Sequence, residues 1–145
     1  MRLLIVDDAE APLKCLHRMI ADMGHEVVGV ARNGEEAVSR FRELHPDAVV
    51  MDMIMPRMNG LEALQAIRAL DPEARVVMGC SLKSCEVAFA SEKSGARYFL
   101  QKPYEEEAVR RIVTRLAGEV SPANGNGRPP ATATPPDAPA LRTRP

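Results

Sequence analysis

Short apolar runs alternate with longer amphipathic stretches along the chain up to about residue 118. "LLIV" near the start reads as a strand, and Leu13, Leu16, Ile20 and Met23 then recur at helical spacing. "EVVGVA" is strand-like; Ala37, Val38, Phe41 and Leu44 form a second helical face, which His45-Pro46 ends. "AVVM" gives a third strand, and Leu61, Leu64, Ile67 and Leu70 a third stripe that stops near Asp71-Pro72. "RVVMG" and "RYFL" read as the last two strands, with the pattern breaking at Gly79. A weaker helix lies between them, and Val109, Ile112, Val113 and Leu116 mark a final one. The strands are continuous apolar runs rather than alternating ones, as expected when both faces of a sheet are covered. Strands alternating with helices therefore predict an α/β domain, a doubly wound five-stranded parallel sheet.

Composition changes sharply after Val120. The segment from Ser121 to Pro145 carries seven of the twelve prolines, and Leu141 is its only large apolar residue. Such a stretch buries too little apolar surface to offset its ordering entropy. The expected organisation is one domain over residues 1–118 and a disordered Pro/Ala-rich tail over 119–145. A formal net charge of -1 gives no basic footprint, so direct nucleic-acid binding is not expected. The apolar runs are too short for a membrane span and no signal peptide opens the chain, so no membrane insertion is expected and the cytoplasm is the expected compartment. The cysteines are Cys15, Cys80 and Cys85, an odd count without metal-ligand spacing. That argues against a disulfide framework or a zinc site and leaves free, at least partly buried thiols as the expectation.

In open α/β sheets, ligands bind beyond the carboxyl ends of the strands. Asp7 and Asp8 follow the first strand. Adjacent acids there repel each other, and hard oxygen donors suit Mg²⁺; alternatively one of them caps the first helix. Asp52 follows the third strand in "VVMDMIMPRMNG", too far ahead of Gly60 to cap the next helix. Three carboxylates at one sheet edge predict a cation site. Lys102-Pro103 follows the fifth strand, bringing a cation to the same edge. Its ammonium is a natural phosphate ligand, and Pro103 can hold a cis bond that aims it inward.

Together, "LLIVDD", "VVMDMIMPRMNG" and "KSGARYFLQKP" resemble the receiver domain of two-component response regulators. The resemblance covers about Met1 to Gly118 and implies a CheY-like, flavodoxin-like (βα)5 fold with strand order 2-1-3-4-5. It implies that Asp52 accepts a phosphoryl group from a sensor histidine kinase or phosphotransfer protein. It further implies that Asp7, Asp8, Asp52 and the backbone carbonyl of Ile54 hold Mg²⁺, and that Lys102 pairs with a phosphoryl oxygen. Output would pass to a downstream protein target, since no DNA-binding or enzymatic domain follows; apart from its own phosphotransfer and dephosphorylation, no enzymatic activity is expected. The physics agrees: phosphoryl transfer depends on positioning and charge neutralisation more than on covalent help.

Departures cluster where such a signal is read. The family usually has Thr or Ser at the end of strand four; its spacing, counted forward from Asp52 and back from Lys102, reaches Cys80 both times. Thiols are weak donors. Ser81 would take the position only if the strand end bulges by one residue; otherwise it fills a small-residue slot beside the phosphate. The aromatic switch partner three residues before the lysine is Phe99, which lacks a hydroxyl, and Tyr98 should face the other way. The fourth helix is polar at Ser91, Glu92 and Lys93, where relatives are apolar. Apolar Ile54 and Leu82 flank the expected path of a hydrolytic water, so slow dephosphorylation is expected. Two other functions fit less well: a receiver-fold binding module with an uncoupled switch, and a Mg²⁺-dependent phosphohydrolase, which would want an acid where Ile54 stands.

Overall fold

The computed structural model describes residues 1–81 and 95–120. The element order is β1 (Arg2–Val6), α1 (Glu10–Asp22), β2 (Glu26–Ala31), α2 (Gly34–Leu44), β3 (Ala48–Asp52), α3 (Gly60–Leu70), β4 (Val76–Cys80), β5 (Tyr98–Gln101) and α4 (Glu106–Glu119). The sheet is parallel throughout, in the order β2-β1-β3-β4-β5. The helix expected between β4 and β5, and the tail from Ser121, lie outside the described residues. Helix α4 takes in Glu119, the first residue of the segment expected to be tail. No helix among the described residues is long and apolar enough to cross a membrane.

Alternation along each strand sends successive side chains to opposite faces. Leu4, Val6, Val49, Met51, Val76 and Met78 pack with Phe41 of α2 and with Leu64 and Ile67 of α3. Leu3, Ile5, Val50 and Val77 pack instead with Leu13 and Leu16 of α1 and with Val109 and Val113 of α4. Central strands β1, β3 and β4 are buried almost end to end, which explains their unbroken apolar spelling. Tyr98 and Phe99 fall on opposite faces, as alternation requires.

The helix boundaries follow their capping residues. Asn59 and Glu62 form a reciprocal capping box at the start of α3, which settles that Asp52 caps nothing there. Asn33 accepts from the Glu36 N–H to open α2, and His45 closes it in a left-handed conformation just before Pro46. Strand β4 does not break at Gly79; it continues through Cys80. Its ladder to β5 steps evenly from Val77↔Tyr98 to Cys80↔Gln101, so no bulge shifts the strand end.

Candidate functional site

The carboxyl ends of β1, β3 and β5 bring Asp7 and Asp8, Asp52, which is the last residue of β3, and Lys102 to one edge. Chain order reverses at β1, which neighbours both β2 and β3. This is the topological switch point where such sheets bind ligands. Asp7 is fully buried, Asp52 is 7% exposed, and Asp8 lies open to solvent. Carboxylate oxygens of Asp7, Asp8 and Asp52 all lie within 4.8 Å of one another. Lys102 Nζ reaches 2.8 Å from Asp7 Oδ2 and 3.4 Å from Asp52 Oδ1, bridging two of the three acids. The Lys102-Pro103 peptide bond is cis.

Local structure explains how each acid is held. The residue before α1 is Ala9, with no side-chain cap, so neither Asp7 nor Asp8 is the helix cap. Asp7 Oδ1 instead accepts from the Ala9 N–H at 2.9 Å, which orients its carboxylate while leaving Oδ2 for Lys102. Beyond Asp52 the backbone folds back: the Met53 N–H donates to the Gly79 carbonyl and the Gly60 N–H to the Met53 carbonyl. A Cβ on Gly60 would lie 2.4 Å from the Asp52 carbonyl oxygen, so only glycine lets α3 start so close to the acid.

The electrostatics are those of a crowded acid cluster. Burial, and then the charge of Asp7, push the Asp52 carboxyl above its ordinary range; Lys102 and the Ile54 N–H oppose this and lose. Burial alone would lower the Lys102 ammonium, but its bond to Asp7 and the nearby Asp52 charge outweigh that and raise it. One lysine does not neutralise three acids. Clustered hard oxygens with one open-facing acid fit Mg²⁺, which takes one or two carboxylates and keeps waters. Ile54, whose carbonyl was expected to complete the set, lies two residues after Asp52 and is 67% exposed.

Cys80 is the last residue of β4, fully buried, and packs with Met53 and Met55 on the face where Phe99 lies. Ser81 is exposed. The expectation of a free thiol at residue 80 is overturned: Cys80 is disulfide-bonded, while Cys15 is free. A disulfide sulfur has no proton, so its 3.8 Å approach to the Leu100 carbonyl is packing, not donation. Leu82 and Cys85 lie outside the described residues.

The sequence reading missed Tyr104. It is 7% exposed, its ring centroid lies 5.8 Å from Lys102 Nζ, and its buried hydroxyl has no hydrogen-bond partner among the described residues. Gly79 held the clue, because a glycine inside a strand often marks the close approach of another group.

Comparison with known proteins agrees with this geometry. Chemotaxis protein CheY of Thermotoga maritima is 37% identical over 116 residues, covering 80% of this chain and 97% of its own length. The response regulator domain of Thermotoga maritima CheB superposes with a TM-score of 0.72 at 32% identity, covering 84% of this chain and 98% of that one. A CheX-CheY-BeF3-Mg complex from Borrelia burgdorferi gives a TM-score of 0.73 at 28% identity, over 83% of this chain and 90% of that one. Residues 3–114 match the response regulator receiver domain family. With its parallel sheet, its acid cluster and its lysine at one edge, the chain belongs to the CheY-like response regulator receiver domains.

Proposed function

We propose that this receiver takes a phosphoryl group on Asp52 in a Mg²⁺-dependent reaction and signals through protein contacts. The observation that carries the reading is Lys102 Nζ, held between Asp7 and Asp52 beside three converging carboxylates. An Asp52 carboxylate oxygen attacks the phosphorus of a kinase or phosphotransfer-protein phosphohistidine. The new O–P bond forms as the P–N bond breaks, and the imidazole nitrogen leaves. Lys102 supplies a positive charge on the side where the transferred oxygens gather, and Asp7 fixes its direction. Asp7, Asp8, Asp52 and the Ile54 carbonyl would hold Mg²⁺, which neutralises charge on the transferring group. Mass measurement after acetyl phosphate with Mg²⁺ tests this. An added phosphoryl group on wild type and none on Asp52→Ala is expected; equal behaviour of the two defeats the reading.

The CheX-CheY complex joins a receiver to another protein in a structure containing BeF3 and Mg. A downstream protein target, a sensor kinase upstream and a cytoplasmic setting are proposed here on the same footing. A second reading, a receiver-fold module with an uncoupled switch, draws support from Cys80: its sulfur donates nothing, and Phe99 has no hydroxyl. Amide spectra with beryllofluoride and Mg²⁺ separate the two. Shifts at Asp52 that do not reach β5 and α4 favour uncoupling.

A further inference from the structure

Tyr104 leaves a buried hydroxyl unpartnered among the described residues, although protein interiors rarely do so without a reason. Its position is specific. A Cβ built on Gly79 would stand 1.9 Å from the Tyr104 hydroxyl oxygen, so the phenol occupies the space where a side chain at residue 79 would be. Gly79 is the ladder partner of Asp52. Paired residues on neighbouring strands project to the same face, so this space adjoins the Asp52 side chain, about 5 Å or one strand spacing away. The same ring lies against Lys102. Burial, with the charges of Asp7 and Asp52, pushes the phenol far above its ordinary pKa, so it keeps its proton and remains a donor. Residue 80, next along β4, has no side-chain donor, because its sulfur is disulfide-bonded.

We infer that the Tyr104 hydroxyl donates a hydrogen bond to the oxygens of phosphorylated Asp52, supplying the donor that residue 80 lacks. This rests on Asp52 being the phosphoacceptor. In the unmodified protein the hydroxyl has no bond to Asp52; phosphorylation extends that side chain and adds acceptor oxygens beside it. Leaving a buried hydroxyl unpaired has a cost that is recovered only when an acceptor arrives, so the arrangement favours the phosphorylated form. Gly79 is then part of the device, since any side chain there would displace the phenol.

Tyr104→Phe removes the hydroxyl and little else. Beryllofluoride with Mg²⁺, followed by ¹⁹F NMR, should bind the variant about tenfold more weakly than wild type. Affinity for Mg²⁺ alone should be unchanged, and the melting temperature equal or higher, since an unpaired buried polar group is gone. Equal beryllofluoride affinity in the two proteins overturns the inference. A second readout needs no change at residue 104: the chain has two tyrosines, Tyr98 and Tyr104. With ¹³Cζ-labelled tyrosine, and Tyr98→Phe for assignment, the Tyr104 signal should move on adding beryllofluoride beyond its position with Mg²⁺ alone. A signal that stays put also overturns it. If wild type takes up neither beryllofluoride nor a phosphoryl group, the phosphoacceptor reading itself falls and this inference with it; if wild type does and the variant matches it, only the role of Tyr104 falls.

Discussion

Asp52 stands where the fold opposes its charge. Burial and Asp7 raise its pKa, and Lys102 only partly compensates. Between the ordinary carboxylate pKa and the raised one, the folded chain holds a proton that the unfolded chain has lost. Without divalent cations, stability therefore falls as pH rises through that window. Asp52→Asn removes the charge while Lys102 keeps its 2.8 Å partner Asp7. In EDTA at pH 7 the variant should be more stable by about 1 kcal/mol, visible as a melting point a few degrees higher, and should lack that part of the pH slope. A lower melting point for the variant would mean that the Lys102–Asp52 contact dominates. Residue 80 gives a second case. The unshifted β4–β5 ladder puts Cys80, not Ser81, at the strand end. Cys80→Thr should enlarge the beryllofluoride-induced amide shifts across β5, whereas Ser81→Ala should change them little; the reverse result would place the working hydroxyl at residue 81. Asp7, Asp8, Asp52 and Lys102 are legible in the sequence because each abuts a strand, and strand ends converge. Tyr104 is not legible, because it becomes relevant only through its packing on Gly79, a contact between two elements that spacing does not encode.

At the scale of elements, the opposite edge of the sheet is tied down by ions. Glu119, the last residue of α4, accepts from Arg97 Nε at 2.9 Å and from the Tyr98 hydroxyl, with Arg75 Nε 3.7 Å away. An acid is unfavourable at a helix C-terminus, and the two arginines that precede β4 and β5 compensate for it. Burial alone would raise the Glu119 carboxyl, but the bonds from Tyr98 and Arg97 outweigh it and hold it below its ordinary value. A depressed carboxyl stabilises above its unfolded pKa and loses that contribution as pH falls through the folded one. Glu119→Gln should therefore lower stability by about 1 kcal/mol at pH 7, and the difference from wild type should shrink below about pH 4. A constant difference down to pH 3, measured by urea unfolding, would remove the ionic account. This cluster is invisible to a pattern reading, which stops the domain at Gly118 because the apolar stripe ends at Leu116. Helix existence follows from the stripe; the last polar turn follows from partners at distant positions, Arg75 and Arg97.

Across the whole molecule, the alternation of apolar runs with helical stripes is enough for a parallel sheet covered on both faces, but not for the order of its strands. Two topologies of opposite order would spell the same runs; the order 2-1-3-4-5 comes with the resemblance and appears in the sheet. That order puts β1 between β2 and β3, so Asp7 and Asp52 end on adjacent strands and their charges meet at the switch point. Folding therefore gathers three carboxylates against one lysine, and a divalent cation that recognises the gathered set binds the folded chain and not the unfolded one. At a Mg²⁺ concentration 100-fold above its dissociation constant, linkage predicts about 2.7 kcal/mol of added stability. The melting temperature should rise by several degrees with MgCl2 and hardly at all with NaCl of matched ionic strength. Asp8 is exposed and makes no hydrogen bond to the buried pair, so Asp8→Asn should leave the cation-free melting point nearly unchanged. It should abolish most of the Mg²⁺-induced rise. A variant that keeps the full rise would mean that the cation is held without Asp8, and the three-acid site would have to be redrawn around Asp7 and Asp52.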